Sequence, residues 1–309
     1  MQTISNTSFE GERPLFKHSN MKLDHVVIHP GESALKECKN IYSVNCEFEG
    51  KYPFWHNENT KIEKCTFTDG ARAAIWYCKN MEMNDSKIEA PKMFREIDGL
   101  TASNLTFSNA QETFWYCKNL KLSNISFEKA DYIFINNRNL RMNNIVMNGN
   151  YSFQYCKDVE IRNSKLNSKD AFWNSENVTI YDSIIKGEYL GWHSKNLKLV
   201  NCQISGTQPF CYCHNLILEN CTMDSSCDLC FEYSTVRADV HSTIKSIKNP
   251  SSGEIIADNY EEIIFDENVK EPNNCVISKR EDESNKLKRF PNNEKVQLNN
   301  EKDQFSTLC

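Results

Sequence analysis

The chain has 309 residues and a net charge of -6. This acidity argues against a dedicated nucleic-acid binder, which normally carries a basic patch or stripe. The first stretch, MQTISNTSFEGERPLF, has no apolar run of signal-peptide length, and no later stretch approaches the roughly 18 apolar residues of a membrane span. We therefore expect a cytoplasmic protein with neither a membrane nor a nucleic acid as partner.

An internal repeat runs through most of the chain. It is marked by a turn-forming residue that precedes a stretch of alternating apolar and polar residues. From the first marker to the last, 215 residues hold 11 intervals of about 19.5 residues each. Asn, Asp and Gly adopt positive φ most readily, so the series predicts a turn at the same point of every repeat. We call these residues the anchors: Asn20, Asn40, Asn59, Asn80, Gly99, Asn119, Asn139, Asp158, Asn177, Asn196, Asn215 and Thr235.

Other positions keep register with the anchors. Apolar residues recur one, three and eight residues after the anchor, and a second series of Asn and Asp residues recurs five after it. Short strands with period-2 alternation, turn ladders and about 20 residues per repeat are typical of a parallel β-helix coil. The sequence therefore predicts an all-β fold, a single-stranded parallel β-helix of about 11–12 coils with ~19–20 residues each.

Four regions are expected along the chain. Residues 1–14 form an N-terminal cap segment, and residues 15–241 form the parallel β-helix. The register weakens past residue 241, which predicts an irregular last coil over residues 242–275 that caps the open end. Residues 276–309 combine mixed charge with few apolar residues, which predicts a disordered tail.

The cysteines follow the repeat. Side chains stacked on neighbouring parallel strands lie ~4.8 Å apart, a poor match to the ~3.8 Å Cβ separation of a disulfide. The C-x-C and C-x-x-C spacings at 211–213 and 227–230 resemble zinc-site spacings, but the repeat already accounts for Cys213 and Cys230. We expect reduced core thiols, no metal site and no cofactor. The repeating cysteines are Cys38, Cys46, Cys65, Cys78, Cys117, Cys156, Cys202, Cys213 and Cys221.

Two adjacent columns of aromatic residues precede the anchors. The phenylalanine column lies five residues before the anchor and the indole column four before it. Neighbouring side chains of a strand point to opposite faces, so one column faces the core and the other faces out. The phenylalanine column is the more uniformly apolar, so we assign it inward. The indole column, assigned outward, contains all five tryptophans of the chain. Its members are Trp55, Trp76, Arg95, Trp115, Ile135, Gln154, Trp173, Trp192, Cys211 and Phe231.

The column three residues before the anchor, here called the tyrosine column, also has the composition of an exposed surface. Strict alternation would place it on the same side as the phenylalanine column, so its exposure requires a bend between these positions. An exposed aromatic face several coils long usually marks an interaction surface. The tyrosine column consists of His56, Tyr77, Glu96, Tyr116, Asn136, Tyr155, Asn174, His193, Tyr212 and Glu232.

Three interpretations of this face stay open. The rings stack on an oligosaccharide or polysaccharide, or they pack against another copy of the chain in a homo-oligomer, or a bend or terminal segment buries them. We favour a non-catalytic protein that binds glycans through the aromatic ladder, and next a self-associating scaffold. The candidate ligand-binding residues are Trp55, Trp76, Tyr77, Arg95, Trp115, Tyr116, Gln154, Tyr155, Trp173, Trp192, His193 and Tyr212.

Catalytic motifs are not recognisable in the sequence, which lacks a P-loop, a Rossmann fingerprint, G-x-S-x-G and H-E-x-x-H. The densest group of ionisable residues beside the tryptophans consists of Lys92, Arg95, Glu96 and Asp98. If the chain is an enzyme, an acid/base pair is expected within this group.

Nine sequence blocks between about residues 11 and 265 resemble one family. They are GERPLF, KYPFW, APKMFRE, ETFWYCKN, GNYSFQY, SKDAFWN, GEYLGW, GTQPF and FEYS. In their order they resemble an uncharacterised family of pectin-lyase-like proteins, domain of unknown function 3737. The resemblance covers all but the tail and implies a right-handed parallel β-helix, with no established activity, ligand or catalytic residue. The same broad fold includes polysaccharide lyases and glycosidases, so a carbohydrate-active enzyme is a third alternative, by analogy.

Overall fold

A computed structural model describes residues 1–269 and 274–281 of the chain. This described part is a parallel β-solenoid of about 14 coils with a short 3-10 helix at Asp69–Ala71. The strands of the first half are β1 (Gln2–Glu12), β2 (Ser19–Glu32), β3 (Lys39–Val44), β4 (Glu47–Phe48), β5 (Glu58–Glu63), β6 (Thr66–Phe67), β7 (Lys79–Asn84), β8 (Lys87–Ile88), β9 (Asp98–Phe107) and β10 (Lys118–Phe127). The others are β11 (Arg138–Asn148), β12 (Lys157–Arg162), β13 (Lys165–Asn167), β14 (Glu176–Tyr181), β15 (Ile184–Lys186), β16 (Lys195–Val200), β17 (Gln203–Ser205), β18 (Leu216–Met223), β19 (Thr235–Lys248), β20 (Ser252–Ile264) and β21 (Cys275–Lys279).

Neighbouring coils pair in parallel and in register. Leu100 of β9 lies opposite Leu120 of β10, which lies opposite Leu140 of β11. All three side chains are buried. The apolar positions of the repeat therefore stack into one continuous core, and the predicted all-β parallel solenoid is confirmed.

The phenylalanine column faces the core, as predicted. Its rings stack coil upon coil, with centroids 4.6 Å apart between Phe94 and Phe114 and 4.9 Å apart between Phe114 and Phe134. Stacked rings at this spacing add directional attraction to the burial of apolar area. The fully buried members of the column are Phe54, Ile75, Phe94, Phe114, Phe134, Phe153, Phe172 and Phe210.

Left-handed backbone provides the bend that the tyrosine column requires. Phe114 has φ 59° and Tyr116 has φ 58°. This conformation costs a bulky residue about 1–2 kcal/mol. Inter-coil hydrogen bonds help to offset the cost: the Phe114 N–H donates to the Met93 carbonyl at 3.0 Å, and the Tyr116 N–H donates to the Ile135 carbonyl at 2.9 Å. Because every second residue turns in this way, the residue five before the anchor is buried and the residue three before it is exposed.

The last anchored coil departs from the predicted register by one residue. Phe231 stacks on Phe210 with ring centroids 6.0 Å apart, and Tyr233 packs beside Tyr212 at 5.5 Å. Phe231 therefore belongs to the phenylalanine column rather than the indole column. Tyr233 takes the place in the tyrosine column that the sequence assigned to Glu232, because this coil has one residue fewer before its anchor.

The two ends are more regular than the sequence predicts. The expected N-terminal cap, residues 1–14, instead contains β1, which pairs in parallel with β2 as a full first coil. The expected irregular coil, residues 242–275, contains the second half of β19 and all of β20, which pair along their length. Strand β21 continues to Lys279, past the predicted start of the tail at 276. Residues 282–309 lie outside the described part. The coil count exceeds 11–12 because the end coils lack an Asn anchor.

The cysteines of the described part are all free and buried. Burial raises the pKa of the Cys117 and Cys156 thiols to about 12. A thiol with so high a pKa carries almost no thiolate at neutral pH and is a poor nucleophile and metal ligand. These residues act as small core side chains, as their positions in the repeat predicted.

The anchors form an amide ladder along the outside of one turn. The Asn40 amide donates to Asn20 at 2.9 Å, Asn59 donates to Asn40 at 3.0 Å, and Asn80 donates to Asn59 at 3.2 Å. The ladder is interrupted at Gly99, and beyond it the Asn119 amide donates to Asp98 instead. Gly99 has φ +87°, and a Cβ added there would meet the Asn80 Oδ1 at 3.4 Å, an acceptable contact.

We predict that Gly99→Asn is more stable than Gly99→Ala by about 0.5–1 kcal/mol, because both side chains strain the positive φ of this position but only the asparagine amide adds a rung to the ladder. The measurement is the free energy of unfolding from a denaturant titration. The comparison with Gly99→Ala isolates the amide rung, because alanine restricts and strains the backbone in the same way but offers no amide. An Asn variant no more stable than the Ala variant would show that the amide rung contributes nothing.

Candidate functional site

The tryptophans of the indole column are half-buried rather than fully outward-facing. Trp55 and Trp76 stack with centroids 5.0 Å apart and planes 9° apart, and Trp173 and Trp192 stack at 5.8 Å and 14°. The column is thus a partly covered stack, and the expectation of an exposed tryptophan ladder is corrected.

Hydrogen bonds explain why these rings are drawn in. The Trp55 indole N–H donates to the Ala73 carbonyl of the next coil at 2.7 Å. The same bond recurs from Trp76, Trp115 and Trp192 to the carbonyls of Lys92, Tyr132 and Gln208. Each of these indoles lies against the following coil and ties it to its own. Trp173 differs, since its buried indole nitrogen has no hydrogen-bond partner in the described part of the chain.

Arg95 takes the place of a ring in the indole column. Its guanidinium lies 4.3 Å from the ring centroid of Trp76 and 4.6 Å from that of Trp115. A guanidinium between two indoles is held by cation–π attraction on both faces. Arg95 therefore continues the stack between two tryptophans that lie two coils apart.

The tyrosine column carries the exposed rings of this face. Tyr116 is 55% exposed, Tyr155 is 49% exposed and Tyr212 is 41% exposed. Over seven coils the column alternates between a ring and a polar side chain. The order is Tyr77, Glu96, Tyr116, Asn136, Tyr155, Asn174 and His193.

Rings at the two ends of this alternation already have stacking partners. Tyr77 stacks on His56 at 4.7 Å, and His193 stacks on Tyr212 at 4.8 Å. Within the described residues, Tyr116 and Tyr155 stack on no other ring. Their coils are separated by the coil of Asn136, so the two positions lie roughly 9.6 Å apart, twice the strand spacing.

A shallow cavity of about 410 Å³ lies at this gap. We call it the central slot. Tyr116 and Tyr155 flank it, and Asn136 lies between them. The other lining residues are Cys117, Lys118, Arg138, Lys157 and Asn174.

Three of the lining residues form a basic run that the sequence reasoning missed. Lys118, Arg138 and Lys157 precede their anchors by one residue and lie opposite one another on β10, β11 and β12. We call this position the rim column, because it flanks the slot on the side opposite the indoles. The repeat contained the signal, since the same alignment that defines the aromatic columns also aligns these three cations.

A second cavity, of about 630 Å³, adjoins the central slot and shares Tyr116 and Lys118 with it. Glu96 and Asp98 line it together with Lys79 and Ile97. The two cavities form one groove along the tyrosine column.

The four candidate catalytic residues take different positions around this groove. Glu96 and Asp98 share the second cavity, whereas Lys92 forms an ion pair with Glu112 at 3.1 Å and Arg95 lies between the indoles. The Asn119 amide, which donates to Asp98, holds the pKa of that carboxyl below its usual value, and Lys118 adds to the effect. Asp98 is therefore ionised at neutral pH and is a poor proton donor.

Two kinds of site are not found in the described part of the chain. No group of three or more His, Cys, Asp or Glu residues there is arranged to hold a metal ion. No helix there has the length and apolarity of a membrane-spanning segment.

We predict that Trp115→Ala lowers the free energy of unfolding by about 2 kcal/mol, because the half-buried ring loses its contacts and its bond to Tyr132. The matched control is Tyr116→Ala on the next residue. Loss of this exposed ring should lower the free energy of unfolding by about 0.5 kcal/mol or less. Denaturant titrations measure both. Equal losses for the two variants would contradict the division between a structural indole column and an exposed tyrosine column.

Comparison with solved structures finds similar chains at low sequence identity and low TM-score. PfbA, a surface adhesin of Streptococcus pneumoniae, is 10% identical, with 82% of this chain and 83% of that chain covered and a TM-score of 0.38. The A-module of the Azotobacter vinelandii mannuronan C-5 epimerase is 10% identical, with 89% and 88% covered and a TM-score of 0.33. A mannuronic acid specific family 6 lyase from human gut microbiota is 9% identical, with 94% of each chain covered and a TM-score of 0.32.

Similarities this distant carry no argument about ligand or activity. None of the curated proteins matches the sequence. One family does match, over residues 2–278, which is nearly all of the described part. The chain therefore belongs to the family described as "Protein of unknown function (DUF3737)", as the sequence blocks indicated.

Proposed function

We propose that this protein binds glycans, without catalysis, along the groove of the tyrosine column. The observation that carries the proposal is the regular alternation of exposed rings with polar side chains around the central slot. Two adjacent cavities follow this alternation and share Tyr116. The ligand then lies one column away from the tryptophans, four of which donate hydrogen bonds to carbonyls of the next coil.

The spacing of the rings suits a sugar. Stacked aromatic rings in this protein lie 4.6–6.0 Å apart on neighbouring coils. Tyr116 and Tyr155 lie two coils apart, so one ring is missing from the stack between them. A pyranose bound over Asn136 would present its C–H faces to the two tyrosines and take the place of the missing ring. Rigid aromatic side chains suit this role because little side-chain entropy is lost on binding.

Polar groups for the sugar hydroxyls lie beside the rings. Within the described residues, the side-chain amides of Asn136 and Asn174 form no hydrogen bond, whereas anchor amides such as Asn139 are paired along their ladder. The phenol oxygens of Tyr116 and Tyr155 are likewise unpaired there. A groove that combines apolar faces with a few unpaired polar groups is typical of a small-molecule site.

Charge makes self-association through this face the weaker alternative. Lys118, Arg138 and Lys157 flank the central slot, and the cores of protein interfaces are depleted in charged residues.

Catalysis is the third alternative, and the ionised Asp98 and the stacked Arg95 supply no evident acid/base pair. We also propose a cytoplasmic location, which the free, buried cysteines of the described residues support.

We predict that Tyr116→Ala and Tyr155→Ala each weaken oligosaccharide binding about tenfold, the loss expected for one stacking contact. Isothermal titration with a panel of soluble neutral and acidic tetrasaccharides measures this loss. The control is Tyr132→Ala, because Tyr132 is an exposed tyrosine that stacks on Tyr151 outside the groove.

Sedimentation of the same variants separates the alternatives. If the face joins two copies, the wild-type protein sediments as a dimer and the Tyr116 and Tyr155 variants as monomers. Absence of binding to every sugar of the panel, or an equal loss in the Tyr132 variant, would overturn the proposal.

A further inference from the structure

The groove contains three positions where a polar residue of the tyrosine column separates two rings. The charge around these positions differs from one to the next. The polar residues are Glu96, Asn136 and Asn174. The rim residue of the same coil is, in that order, Asp98, Arg138 and Glu176. Two of the three positions are therefore acidic, and the central slot alone has a cation on its own coil.

Arg138 has no acidic partner within the described residues, unlike the cations on either side of it. Lys118 forms an ion pair with Asp98 at 3.1 Å, and Lys157 forms one with Glu176 at 2.6 Å. The residues directly opposite Arg138 on the neighbouring strands are these same two lysines. Like charges opposite one another on paired strands are destabilising.

Elsewhere in the rim column, three cations do not follow one another on neighbouring coils. Lys39 pairs with Glu58 at 3.1 Å, and Asp98 and Glu176 lie at the two ends of the basic run. An anion bound at Arg138 would remove the repulsion at the centre of the run. The centre of the run is also the coil on which the ring is missing from the tyrosine column.

We propose that the central slot selects an acidic sugar, a hexuronate unit whose ring lies between Tyr116 and Tyr155 and whose carboxylate pairs with Arg138. The planar guanidinium offers two parallel N–H donors that match a carboxylate, which a lysine ammonium does not. Lys118 and Lys157 add attraction that salt screens. This inference rests on the proposed glycan-binding function and specifies its ligand.

The test compares ligands that differ only in charge. Tetramers of galacturonate, glucuronate and mannuronate are titrated into the full-length protein at low ionic strength, each beside its methyl ester. The wild-type protein is expected to bind at least one acid about tenfold more tightly than its ester, the gain of one charge-assisted hydrogen bond. The difference should shrink as salt is added.

Substitutions at the rim identify the residue responsible. In Arg138→Gln the preference for the acid over its ester should fall about tenfold while affinity for the ester stays unchanged, and Arg138→Lys should keep only part of the preference. The matched control is Lys195→Gln, a rim-column cation three coils away that lines neither cavity. That variant should behave as the wild type.

The outcomes separate this inference from the function on which it rests. Tyrosine-dependent binding of acids and esters with equal affinity would overturn the acidic preference and leave glycan binding intact. An equal loss of preference in Lys195→Gln would show a general effect of net charge and would also overturn the inference. If no acid or ester binds at all and the neutral sugars fail too, both proposals are wrong.

Discussion

Parallel pairing in register, at the ~4.8 Å strand spacing, is the constraint on which the rest of this structure depends. It places each side chain directly above the equivalent residue of the coil before it. A favourable self-contact at one position is therefore repeated along the rod. Phenylalanines stack in the core, asparagines exchange amide hydrogen bonds on the outside, and indoles donate to the carbonyls of the next coil. An unfavourable position, such as the left-handed backbone at Phe114, is repeated in the same way and has to be offset in every coil.

The same constraint makes interruptions informative. Where a column changes residue type, the side-chain contact that repeats between neighbouring coils is lost or replaced. At Gly99 the amide ladder is broken and Asp98 accepts the bond in its place. At Arg95 a cation replaces a ring and the stack continues. At Asn136 the ring is absent and nothing in the described part of the chain replaces it, which leaves two exposed tyrosines facing an open position beside an unpaired arginine. The proposed ligand site is thus an interruption that a sugar would complete.

Much of this architecture is predictable from the sequence, because a 20-residue period fixes which residues share a column. The core positions, the inward phenylalanines, the bend and the reduced cysteines all follow from alignment to the anchors. The half-burial of the tryptophans does not, because it depends on a hydrogen bond from Trp55 to a backbone carbonyl that no side-chain pattern encodes. The end coils were missed because they lack the Asn marker. The one-residue shift at Phe231 is recognisable only from its stacking on Phe210. The rim cations were predictable, but only by extending the same alignment to the position one residue before the anchor.

We propose the tyrosine column, and not the indole column, as the ligand-binding face. The most direct measurement is a crystal structure of the protein soaked with a uronate tetramer. We expect a sugar ring over Asn136, between the rings of Tyr116 and Tyr155, with a carboxylate on the Arg138 guanidinium. A sugar bound against Trp173 and Trp192 instead, or a groove covered by a second copy of the chain that is also present in solution, would contradict it.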